Sequence, residues 1–110
     1  MIEQTPAPQQ FNIDLPPENI AGHYADFASV WHTANSFVMD FVVLAQPPTP
    51  TTNPETGQAQ VTVPGRVVSR VRIAPEQVFE LAKALTIQLE AWELETGRKK
   101  PDKPIFDVGL

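Results

Sequence analysis

The chain has 110 residues, a net charge of −5 and no cysteine. One domain fits that length. The acidic balance disfavours a nucleic-acid backbone or an anionic membrane surface as main ligand, since clustered Lys and Arg hold both, and the missing cysteines exclude disulfides and thiolate chemistry.

Twelve prolines stand mostly outside the apolar runs, which leaves about 80 residues for an ordered core. A core that small gains burial by pairing with a second chain. The first ten residues hold Gln, Pro and one Glu. They lack the charged and apolar regions of a secretory signal and read as a disordered tail. No apolar run approaches the roughly 20 residues of a membrane span. A cytoplasmic location with no membrane contact is expected.

Residues 11–15, Phe-Asn-Ile-Asp-Leu, alternate apolar and polar and stop at Pro16-Pro17. That pattern predicts a short N-terminal edge strand. Residues 24–33 predict the first main strand. Phe27 and Trp31 share one side with Ala25 and Ser29, and their bulk assigns that side to the core. Ala34-Asn35-Ser36 is hairpin chemistry. Residues 37–45 form the second strand, with Phe37, Met39, Phe41 and Val43 on one face and Val38, Asp40, Val42 and Leu44 on the other. Two largely apolar faces suggest a central strand covered on both sides, or one covered by a partner.

Residues 46–59 hold Pro47, Pro48, Pro50 and Pro54 and read as a long mobile loop. Residues 60–73 form the third strand, with a break or bulge at Pro64-Gly65. Beyond that break Val67, Ser69, Val71 and Ile73 point one way, and Val68, Arg70 and Arg72 the other.

The clearest signal is a helix of about 22 residues, some 33 Å long. It opens at Ala74-Pro75-Glu76 and closes at Gly97, with Arg98-Lys99-Lys100 at the negative end of its dipole. Val78, Leu81, Leu85, Leu89 and Trp92 recur every three or four residues and form one stripe, widened by Phe79 and Ala82. Ala84, Ile87, Ala91 and Leu94 form a second stripe on the flank. Since one core contact needs only about 100° of helix surface, the second stripe suits a second copy. Residues 101–110 are a C-terminal tail with Ile105, Phe106, Val108 and Leu110 available to dock.

Several blocks in this order resemble a known family. Tyr24-Ala25-Asp26-Phe27 is followed by Ser36-Phe37-Val38-Met39-Asp40-Phe41, then Val67-Val68-Ser69-Arg70-Val71 and Ala74-Pro75-Glu76-Gln77, and the helix with Leu81 and Leu85 completes the pattern. This is similar to the bacterial family catalogued as domain of unknown function 3467. There the second block usually reads Glu-Phe-Val-Leu-Asp-Phe, so Ser36 and Met39 depart from it. The resemblance covers about two-thirds of the chain. It implies a strand–strand–strand–helix unit and no activity. Some members are encoded beside RNA polymerase subunit genes, which implies an alternative role as a transcription-associated accessory protein contacting polymerase or nucleic acid.

No set of residues reads as an active site. Asp40 and Arg70 sit mid-strand and oppose each other if the second and third strands are neighbours. A cross-strand or inter-subunit ion pair, on the face away from the core, outweighs a charged-ligand site. His23 and His32 with Asp26 lack a metal-ligand spacing such as His-x-x-x-His. Ser29, Ser36 and Ser69 lack a nucleophile elbow. Asp26 and Asp40 can be drawn as a carboxylate pair only by choice. Trp31 and Trp92 are assigned to the core. Arg66, Arg70 and Arg72, all even-numbered, make the one basic stripe.

The expected fold is therefore α+β: a three-stranded antiparallel meander plus a short N-terminal strand, with one long C-terminal helix packed on the sheet, as a dimer. The expected function is a non-catalytic interaction or scaffold module without cofactor or metal, acting as a homo-oligomer and binding another protein. Its candidate structural or interface residues are Tyr24, Phe37, Asp40, Phe41, Arg70, Pro75, Ile87 and Leu94.

Overall fold

Strand pairing comes first, because it fixes which side chains meet. In the computed structural model, which describes residues 7–103, β1 (Phe27–His32), β2 (Phe37–Leu44) and β5 (Gly65–Ile73) form one antiparallel sheet in the order β1-β2-β5. The helix α1 (Pro75–Thr96) follows β5. The architecture is α+β, an antiparallel meander followed by one long helix, as its patterning predicts.

The β1–β2 turn is closed by Thr33. Its N–H donates to the Ser36 carbonyl at 2.8 Å, and its Oγ1 accepts the N–H groups of Asn35 and Ser36 at 3.2 and 3.1 Å. This turn pairs His32 with Phe37, and the register then runs without a slip to Phe27 opposite Val42. At the far end the Asp26 carboxylate accepts the Leu44 N–H at 2.7 Å. Asp26 thus satisfies a backbone donor where the ladder ends.

Between β2 and β5 the chain makes a separate two-stranded ribbon, β3 (Thr49–Thr52) with β4 (Ala59–Thr62). This corrects the reading of residues 46–59 as loop. The ribbon has no third strand, so Pro50 removes a donor only where an edge tolerates it, and β-branched Thr49, Thr51, Thr52 and Thr62 suit extended backbone. The Thr51 and Thr62 hydroxyls lie 2.7 Å apart. Asn53 Oδ1 accepts the Glu55 N–H at 2.9 Å, and Gly57 takes a φ of 70° that closes the turn. The predicted break at Pro64-Gly65 separates β4 from β5.

A second correction concerns residues 11–15, which form no strand; the regular structure nearby is a single 3-10 turn at Pro17–Asn19. Alternation supplies two faces but no partner for the backbone. Phe11, Ile13 and Leu15 are all exposed. The C-terminal apolar residues Ile105, Phe106, Val108 and Leu110 lie outside the described residues, as do residues 1–6 of the N-terminal tail.

The helix keeps its predicted limits. Ala74 is extended, Pro75 opens the first turn, and Gly97 is left-handed at φ 72° with its N–H on the Glu93 carbonyl at 2.9 Å. Its packing is sparse. No residue of α1 is buried. Contacts between elements concentrate in the strand pairings. Among the described residues the one buried apolar side chain is Val38, flanked in register by Trp31 and Arg72. The Cα radius of gyration is 20.2 Å and the long axis 76 Å, against about 13 Å for the radius of a compact chain near this length. The folded chain is long and has little interior of its own.

Candidate functional site

Two features of the sheet bear on function, an ion pair on one face and an open apolar surface on the other. Ser29, Asp40 and Arg70 lie side by side across β1, β2 and β5. Arg70 Nε donates to Asp40 Oδ1 at 2.6 Å and Nη2 donates to Oδ2 at 2.8 Å, a two-pronged pair. The Asp40 side chain is 12% exposed and that of Arg70 49%. The guanidinium also stands over the Trp31 ring, 5.8 Å from its centre. Hydrogen bonding from Arg70 holds the Asp40 carboxyl below its ordinary 3.8; burial opposes this, and the charges of Arg70 and Arg72 reinforce it. Asp40 in turn raises Arg70. Both carboxylate oxygens are engaged by one guanidinium, so the pair neutralises itself.

The face it occupies differs from expectation. Trp31 pairs with Val38 and Phe27 with Val42, so Phe27, Ser29 and Trp31 share the face of Asp40 and Arg70. The supposed core side of β1 and the supposed outer side of β2 are one surface. Trp31 is exposed there, and so is Trp92 on the helix, where Arg98 covers its ring at 4.9 Å; neither is the core residue expected. The turn at Thr33–Ser36 held the signal. Counting back from His32 opposite Phe37 puts residue 31 opposite 38 and residue 29 opposite 40.

The basic stripe is also divided. The β2–β5 register shifts between Phe41 and Val42, leaving Val68 without an opposite number. Before the shift Arg70 and Arg72 face Asp40 and Val38; after it Arg66 faces Val43, on the opposite surface. One extra residue inverts the parity of every side chain beyond it. Val67 likewise moves to the ion-pair face, opposite Val42.

The other face of the sheet carries Val30, Phe37, Met39, Phe41, Val71 and Ile73. None of these is buried, and Val30 and Val71 are exposed. His32 stacks on Phe37 with ring centres 5.4 Å apart. On α1 the main stripe is half-covered at Val78 and Leu81, then opens: Leu85 is 62% and Leu89 55% exposed. Their periodicity predicts that both lie against the sheet of their own chain. Only a monomer's burial reveals otherwise, since periodicity identifies a stripe and not its occupant.

The remaining candidates scatter. Tyr24 is exposed ahead of β1, Pro75 is half-covered at the start of α1, and Ile87 and Leu94 are exposed one above the other on the helix flank. They do not converge on the Asp40–Arg70 pair. His23 is exposed, and among the described residues no three His, Asp or Glu side chains gather in a metal-holding group. No helix of the described residues is long and apolar enough to cross a membrane.

The family model described as protein of unknown function (DUF3467) matches residues 2–99. No match to the chain was found among curated proteins or among solved structures. The chain belongs to the DUF3467 family.

Proposed function

From that membership and this geometry, we propose that the protein is a non-catalytic interaction module whose working form is a homo-oligomer, most simply a dimer in the cytoplasm. One observation carries the reading: the folded chain leaves its apolar surface uncovered. Its accessible surface is 10287 Å², against about 6,100 Å² for a compact monomer of 12.2 kDa. The uncovered residues include Leu85, Leu89, Phe79, Val30 and Val71, which soluble monomers rarely leave in contiguous patches.

The ionisable groups fit a structural role. Asp40 is closed by Arg70, and Asp26 by the Leu44 N–H. A transcription-associated role with direct nucleic-acid contact gains no support from the arginines, because the bulge separates Arg66 from Arg70 and Arg72 and Asp40 engages Arg70. The test is thermal unfolding over a hundredfold range of protein concentration. An oligomeric fold melts at higher temperature as concentration rises; a midpoint independent of concentration contradicts the reading.

A further inference from the structure

Each chain presents two apolar surfaces that it does not close on itself. The first is the outer half of the helix stripe, Leu85, Leu89 and Trp92, all exposed. The second is the sheet face of Val30, Met39 and Val71, which sit side by side across β1, β2 and β5. Among those three strands this face carries no charged side chain until Arg66 beyond the bulge, whereas the opposite face carries Asp40, Arg70 and Arg72. Leu85 and Leu89 match the uncharged face, and the one cation against the stripe, Arg98 over the Trp92 ring at 4.9 Å, lies past the end of the helix, where its head keeps its water. The dimensions agree. Leu85 to Trp92 rises about 10 Å along the helix, and the two outer strands of a three-stranded sheet lie about 10 Å apart.

We propose that the two surfaces belong together across copies: Leu85, Leu89 and Trp92 of one chain seat on Val30, Met39 and Val71 of a second chain, and the reverse contact completes a two-fold dimer. This rests on the homo-oligomer reading and names its interface. Of the six side chains so paired, Leu85, Leu89, Trp92, Val30 and Val71 are 38–62% exposed in the single chain, and the exchange closes that surface. The exchange also explains why a 22-residue helix contributes nothing fully buried to its own chain.

The absence of native cysteine permits a direct test. Met39→Cys and Leu89→Cys are made in two differently tagged full-length chains, refolded together and treated with a short bis-maleimide. Val71→Cys with Leu85→Cys forms a second pair, so that one poorly folding variant does not decide the matter. The expected product is the mixed cross-link, in clear excess over either self-linked species, from a particle of dimer mass. A dimer that links Leu89→Cys to itself is a helix-to-helix pair and overturns this seating while leaving the homo-oligomer intact. A folded particle of monomer mass overturns both.

Discussion

Replacing Leu85 and Leu89 together by alanine separates a monomer from an assembly sharply. Complete burial of a leucine contributes roughly 1.5–3 kcal/mol relative to full exposure. With 62% and 55% of these residues still exposed in the single chain, rather more than half of that gain awaits a partner, or about 1–1.5 kcal/mol each. A two-fold dimer counts both residues twice, so the substitution weakens association by about 4–6 kcal/mol, a factor of roughly 10³–10⁴ in Kd. In a free monomer only the part already covered is lost, about 0.6–1.3 kcal/mol for each leucine by the same arithmetic, offset slightly because alanine is the better helix former, and that loss is the same at every protein concentration. Urea unfolding followed by tryptophan fluorescence, at low and high protein concentration, reads the difference through Trp31 and Trp92. Midpoints identical to the parent at both concentrations would refute the reasoning.

Two further substitutions test the sheet. Asp40 has a folded-state pKa below its ordinary 3.8, so its contribution is complete above that value and drains away as pH falls through the lower, folded value. Asp40→Asn is expected to flatten the acid limb of the stability–pH curve below pH 3.8, measured by denaturation across pH; an unchanged limb would show that the pair does not govern it. Gly65 lies where an added Cβ would come within 2.8 Å of Val42 Cγ1. Valine has one stiff side-chain torsion, so Gly65→Ala should cost about 1–3 kcal/mol by overpacking, whereas a stability equal to the parent's would mean the β2–β5 junction is looser than its geometry.

The features legible in the sequence were those that local chemistry decides. Pro75 and Gly97 bound the helix because each supplies a backbone conformation the end requires, whatever lies around it. The pairing of Asp40 with Arg70 was legible because both sit mid-strand and only neighbouring strands bring them together. What stayed hidden depends on counting between strands or on a partner. The extra residue at Val68 inverts parity and is invisible to a period-two pattern, which groups Arg66 with Arg70 and Arg72. The bulk of Trp31 points to a core, but register decides its face. Residues 49–52 read as loop because Pro50 outweighs the threonines beside it, although a two-stranded ribbon consists of edges only, and residues 60–62 read as the start of one long third strand because nothing local shows that they pair with residues 49–51. For residues 11–15 the error ran the other way, since alternation without a hydrogen-bonding partner is not a strand.

The proposed function depends on the chain not standing alone. Sedimentation equilibrium of the full-length protein at neutral pH tests this most directly. A dimer gives twice the chain mass of 12.2 kDa, falling toward the single-chain value together with loss of structure on dilution. A well-folded species that holds 12.2 kDa at every concentration would contradict it.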